Sequence, residues 1–224
     1  MKKVKKSKKE IIILVIIIAL IILLIIIVGS GFLWWIWKEE KELGSAPSEE
    51  FSQKEINGEK IIENKKTGLK IKIPKDWQVK EGFGGYGLIF LSPDFKPYSE
   101  KNFLPEKGCF IKVNVSKVEF VSTSVTGKYE RSYEADFLRE KIERYLASPS
   151  QTEEDLFHKV VEISGYKGLK TIEPIINKEI SGKRILIEIP KGERVCSFEL
   201  LLFGKDKEKC EREFEKILNG TSLK

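Results

Sequence analysis

Residues that commonly carry chemistry are scarce in this 224-residue chain. It has one histidine, His158, and three cysteines, Cys109, Cys196 and Cys210. A thiol-transfer centre needs a thiolate nucleophile, a proton-transfer partner and a cation for the developing oxyanion. Cys196, His158 and Arg194 or Arg212 are the residues that could supply one. A lone histidine beside a strand is more often structural, so the expectation is that the chain is not an enzyme. One histidine and no C-x-x-C leave no metal site to predict, and no H-E-x-x-H or Walker lysine motif is present. No cofactor is expected.

The cysteines fall on apolar stripes: Cys109 with Ile111 and Val113, Cys196 with Phe198 and Leu200, Cys210 with Phe214. One disulfide with a spare thiol, or three buried small hydrophobes, satisfies that pattern equally well. Gly82-Phe-Gly84-Gly-Tyr-Gly87 matches G-x-G-x-x-G, but strand-like Leu-Ile-Phe-Leu follows it rather than a helix. A hairpin loop is expected there, not a phosphate cradle. Phe83 and Tyr86 in that loop, with Phe95 and Tyr98 in the long 92–107 connection, are the candidate ligand-binding residues.

The elements that must position these residues change period along the chain. Leu69, Ile71 and Ile73 alternate with lysine and predict a strand ending at Pro74; Trp77 begins a second extended stretch. Further strands are predicted at 88–91, 109–115, 159–163, 168–173, 184–189 and 195–203. Pro190-Lys-Gly-Glu193 reads as a hairpin turn. Ala135, Leu138, Ile142 and Tyr145 share a helical stripe over 133–147, with Ser132 as its cap and Pro149 closing it. A second helix is predicted at 206–218, with Gly220 past its end. The fold class is α+β, an antiparallel β-sheet flanked by helices.

One segment lies outside that alternation. Residues 11–28 are eighteen consecutive apolar residues, and the uncharged run continues to Trp37. At about 1.5 Å per residue such a helix crosses a hydrocarbon core of roughly 30 Å. Six lysines precede it, while Lys38, Glu39, Glu40, Lys41 and Glu42 follow it. That asymmetry places the N-terminus in the cytoplasm and the C-terminus outside the plasma membrane, with Trp34, Trp35 and Trp37 at the far interface. An apolar run this long without an A-x-A junction reads as an uncleaved signal anchor. The expected organisation is a basic cytoplasmic tail (1–10), a single transmembrane helix (11–37), a flexible stalk (38–58), one extracytoplasmic domain (59–220) and a short tail (221–224). The net charge of +6 belongs mostly to the tail, because residues beyond 37 hold 34 basic and 33 acidic side chains. Nucleic-acid binding is therefore not expected.

Thr67-Gly-Leu-Lys-Ile-Lys-Ile-Pro-Lys-Asp-Trp77 resembles the opening of PsbP-like domains, in which a strand runs into Pro-x-x-Trp. The subsequent order of strands and helices is similar over about residues 60–220, including the strand pair around Ile163-Ser-Gly165-Tyr-Lys-Gly168. The resemblance implies an extracytoplasmic α/β/α sandwich that works as a binding or assembly subunit. Its partner would be an envelope protein or a small ligand, with the bilayer engaged through residues 11–37. The metal-linked histidines of photosynthetic members have no counterpart in a chain with one histidine. The alternative is a sortase-like thiol-dependent surface enzyme, which shares the anchor and the β-rich ectodomain. Arg194-Val-Cys196-Ser-Phe stands where that family has T-L-x-T-C.

Overall fold

Alternation of apolar and charged residues builds most of this molecule, and its strands pair antiparallel throughout. The computed structural model describes residues 44–99, 102–123, 129–147, 157–176 and 181–224. The predicted tail 1–10, the span 11–37, residues 38–43 of the predicted stalk and Pro149 lie outside them. Among the described residues no helix is long and apolar enough to cross a membrane.

The described residues begin with β1 (Gly44–Ser45), followed by β2 (Phe51–Ile56), β3 (Glu59–Asn64) and β4 (Leu69–Pro74), the last three forming one small sheet. Next come β5 (Gln78–Glu81), β6 (Leu88–Leu91), the ribbon β7 (Lys96–Ser99) with β8 (Asn102–Lys107), and β9 (Phe110–Lys117). A second ribbon, β10 (Glu119–Thr123) with β11 (Tyr129–Tyr133), leads into α1 (Glu134–Ala147). The chain closes with β12 (His158–Ile163), β13 (Tyr166–Ile176), β14 (Ser181–Lys191), β15 (Arg194–Leu202) and α2 (Lys207–Asn219). The main sheet runs β12-β13-β14-β15-β9-β6-β5, and β1 pairs with the far end of β9. The fold is α+β and dominated by its sheet.

Each face of the main sheet meets one helix. On one face Leu169 and Val195 pack with Ala135, Leu138 and Ile142 of α1. On the other, Ile111, Val113, Ile185, Ile187, Phe198 and Leu200 meet Phe214 and Ile217 of α2 and Ile62, Leu69, Ile71 and Ile73 of the small sheet. Burying that continuous stripe is the main driving force, at about 25 cal/mol per Å2 of apolar surface removed from water. A disulfide joins Cys109, just before β9, to Cys210 in α2, with Cα atoms 5.2 Å apart. Of the two readings left open by the sequence, one bridge and a spare thiol is therefore realised. Cys196 is the free cysteine among the described residues, and it is buried.

Three boundaries differ from expectation. The stalk predicted over 38–58 is folded from Gly44 onward. Ala46 donates its N–H to Val115 O at 2.6 Å, and β2 pairs along β3 through an Asn57-Gly58 turn with both residues at positive φ. An Asn-Gly turn of that hand suits the twist of a two-residue hairpin. Residues 221–224 are no loose tail: Ser222 and Lys70 exchange backbone hydrogen bonds at 2.8 Å each, and Leu223 is buried in the core. Ser132 belongs to β11 and does not cap α1. Asp136 does the capping instead, its carboxylate accepting from Tyr133 N at 3.0 Å.

Candidate functional site

The residues that could assemble a thiol centre are kept apart by the pleat. Cys196 points to the α2 face of β15, within the main core. His158 shares a parity with Val160, which packs on the α1 face, so its ring lies on the opposite side of the sheet. Three inter-strand steps of about 4.8 Å also separate β12 from β15. The imidazole Nδ1 is 3.0 Å from Thr171 Oγ1, and the ring tilts against Tyr145. Burial pushes the Cys196 thiol up to about 11, with a Thr67 hydrogen bond and the charges of Lys191 and Arg194 opposing. A thiol so disfavoured as thiolate is a poor nucleophile at neutral pH. Arg212 sits on α2, exposed, 3.9 Å from Glu208.

The glycine-rich segment joins β5 to β6 as a tight loop. Gly82 N–H donates to Gly87 O at 3.0 Å, and Gly84, Gly85 and Gly87 have positive φ. A Cβ at Gly82 would lie 1.8 Å from Tyr86 O, so closure of the loop itself requires glycine there. The four candidate aromatics do not converge. Phe83 and Tyr86 stand exposed at one end of β6, while Phe95 and Tyr98 follow its other end. Phe95 packs at 6.2 Å from Phe110 and closes a small cluster with Ile89 and Leu91. Tyr98, in β7, is exposed.

A roomier concavity than these loops offer lies elsewhere. A groove of about 720 Å3 runs between the end of β4 and α2, over Ile73, Pro74 and Ile217. It continues past Pro74, Asp76 and Glu213 into a second depression of about 420 Å3 beside Trp77, Asp94 and Lys209. Most of its charges are paired: Lys72 with Glu59 at 3.7 Å, Lys216 with Glu213 at 2.7 Å, Lys209 with Asp94 at 2.7 Å, and Lys75 with Glu55, outside the lining, at 2.7 Å. The Lys209 ammonium, with Ser92 adding a hydrogen bond, holds the Asp94 carboxyl below its usual range. The Ser92 hydroxyl is already committed, accepting from Cys109 N and donating to Asp94, both at 2.8 Å. An apolar floor with a largely ion-paired rim is the kind of surface that can hold a ligand by shape and by exchange of ion pairs. Among the described residues no group of three or more His, Cys, Asp or Glu is placed to hold a metal ion.

Sequence reasoning did not find this groove. Its two walls, Lys72–Asp76 and Glu213–Ile217, are more than 130 residues apart in the chain and carry no shared motif. The Pro74-x-x-Trp77 segment was its one visible trace, and there the chain turns from β4 into β5. Trp77 is buried, and its carbonyl accepts a hydrogen bond from the Lys60 ammonium.

No family model and no curated protein matches the sequence. Among solved structures, a protein from Bacteroides thetaiotaomicron VPI-5482 is similar at a TM-score of 0.42 and 11% identity, covering 82% of this chain and 49% of its own. The chain thus spans about half the length of that protein. LpqN of Mycobacterium tuberculosis, described as involved in cell envelope biogenesis, is similar at the same TM-score and identity, over 69% of this chain and 82% of its own.

Proposed function

We propose that this chain is a single-pass, membrane-anchored binding or assembly protein. Its folded domain lies outside the plasma membrane, performs no chemistry of its own, and takes a ligand or envelope partner in the groove between α2 and β4. The observation that carries the reading is the contrast between two places. The groove offers an apolar floor under a largely ion-paired rim, whereas the thiol and the imidazole lie on opposite faces of the sheet. The extracytoplasmic location draws support from the Cys109–Cys210 bridge, since disulfides persist in oxidising compartments. The anchor rests on the apolar run 11–37 and its lysine-rich flank. A helix on each face of an antiparallel sheet, with β4 turning through Pro74 and Trp77 into β5, supports a PsbP-like architecture.

Two measurements test this. In native alkylation of the full chain, read by intact mass, no adduct is expected until the protein is unfolded. A Cys196 that reacts rapidly in the folded state would overturn the non-catalytic reading and favour the thiol-enzyme alternative. A photo-crosslinking residue in place of Asp76 should trap a discrete partner in cells, whereas one in place of Lys141 on α1 should not. Equal trapping at both positions, or none at either, would remove the groove as the site.

A further inference from the structure

We infer that the end of the domain where the chain arrives at Gly44 is itself a lipid-contacting surface, seated on the headgroup region of the bilayer through exposed aromatic side chains. This rests on the anchored reading above and adds a second, independent contact to it. Among the described residues nine large apolar or aromatic side chains are exposed, and five of them belong to this end: Phe83, Tyr86, Phe120, Val121 and Phe137.

Pairing places them together. Gly44 lies opposite Lys117 at the end of β9. Phe120 is three residues beyond Lys117, about 10 Å along an extended chain, and Phe137 meets it edge-on at 5.3 Å. Tyr86 bridges to Pro47, three residues beyond Gly44 on the other side, and Phe83 shares its loop. The point of arrival is thus flanked by aromatics on both sides.

Chain length supplies the occupant. Only Lys38–Leu43 separate Trp37, the last residue of the apolar run, from Gly44. Six residues extend at most about 20 Å, comparable with the headgroup layer plus one layer of side chains. Aromatic rings are the side chains best suited to that interface, being apolar in body with a polarisable or polar edge. Several charges nearby are paired: Arg131 with Glu119 at 3.2 Å, Lys117 with Glu193 at 2.9 Å, Arg139 with Asp136 at 2.6 Å. The contact is made by rings rather than by a basic patch, so it is with the interface of a neutral bilayer and does not require anionic lipid. The groove, formed where β4 ends, is presented toward the opposite end of the sheet.

The full chain allows a direct test. Cys196 is buried and Cys109 is bonded to Cys210, so one introduced cysteine can be labelled with an environment-sensitive fluorophore. Phe83→Cys and Phe137→Cys probe the proposed surface. Ile56→Cys, exposed at the far end of β2, is the control. Each labelled chain is reconstituted into phosphatidylcholine vesicles, and in parallel into phosphatidylcholine vesicles containing phosphatidylglycerol, with and without headgroup-spin-labelled lipid. The expected result is flotation after an alkaline wash, with labels at 83 and 137 quenched several-fold more than at 56 and unaffected by salt. Flotation with equal quenching at all three positions overturns the lipid contact and leaves the anchor standing. Quenching that appears only with anionic lipid overturns the aromatic basis. A chain that does not float overturns the anchored reading and this inference with it.

Discussion

Glu188 shows how a single side chain can report the packing of α1 on the sheet. It faces α1 from β14, in register with Leu169 and Ser197 on either side. Burial raises its carboxyl above the ordinary value and the nearby Glu134 adds to this, while Lys141 and Arg184 oppose. A carboxyl raised in the folded state contributes stability below its unfolded-state value, and that contribution is lost as pH rises through the folded-state value. Glu188→Gln should therefore raise the melting temperature at about pH 8 and give no gain near pH 3. Thermal melts across pH check this, and a gain independent of pH would be contrary to it. Asn64 carries a different burden. Its buried Oδ1 accepts from Lys66 N, Thr67 N and Thr67 Oγ1, all at 3.1 Å, and so holds the β3–β4 turn. Asn64→Ala should cost about 1–3 kcal/mol in chemical denaturation, the penalty of leaving buried donors without an acceptor.

At the scale of elements, legibility followed the number of faces each one buries. β4, β9 and the stripe of α1 were readable because a buried face forces apolar residues to recur at the element's own period, and β6 because burial of both faces makes it a continuous apolar run. β2 was misread as stalk because Gln53 to Ile56 are exposed, so backbone pairing and a turn hold it without an apolar pattern. Asn57-Gly58 was the signal that could have revealed it. The ribbons β7–β8 and β10–β11 form two-stranded sheets of their own, apart from the main sheet, and the sequence shows them only as long connections. α2 combines a readable stripe with an unreadable bond. Cysteine spacing could not select Cys109–Cys210, because the pairing depends on which strand the helix crosses. Replacing both by alanine should cost about 2–5 kcal/mol, the usual range for a native bridge. A thermal melt of the double variant beside the native chain measures it, with reductant expected to lower only the native midpoint. The same helix forms one wall of the groove, so the proposed binding there should weaken together with stability.

For the whole molecule, the consequential correction is where the folded unit begins. Gly87 donates to Ala46 O at 2.9 Å and Asn114 to Ser45 Oγ at 2.9 Å, while Phe51 packs against the core. A fragment beginning at residue 59 removes all of these and strips β3 of one of its two neighbours. It should lose at least about 3 kcal/mol relative to a fragment beginning at residue 44. Comparing the two by urea denaturation checks the boundary, and equal midpoints would restore the stalk. The early start of the fold leaves six residues, Lys38–Leu43, between the uncharged run and the folded unit, the spacing on which the proposed lipid contact rests.

The sequence by itself determined the properties that depend on neighbours along the chain. These are the eighteen-residue apolar run with its lysine flank, the strand and helix periods, the hairpin at Gly192 and the class α+β. Each follows from local geometry, since an element with one buried face must repeat at 2.0 or 3.6 residues. Only the tertiary structure decided which faces meet. It set Cys196 and His158 on opposite sides of one sheet, chose Cys210 as the partner of Cys109, and joined Lys72–Asp76 to Glu213–Ile217 as a groove. Those outcomes depend on strand order and on how a helix lies across it, and residue period carries no information about either.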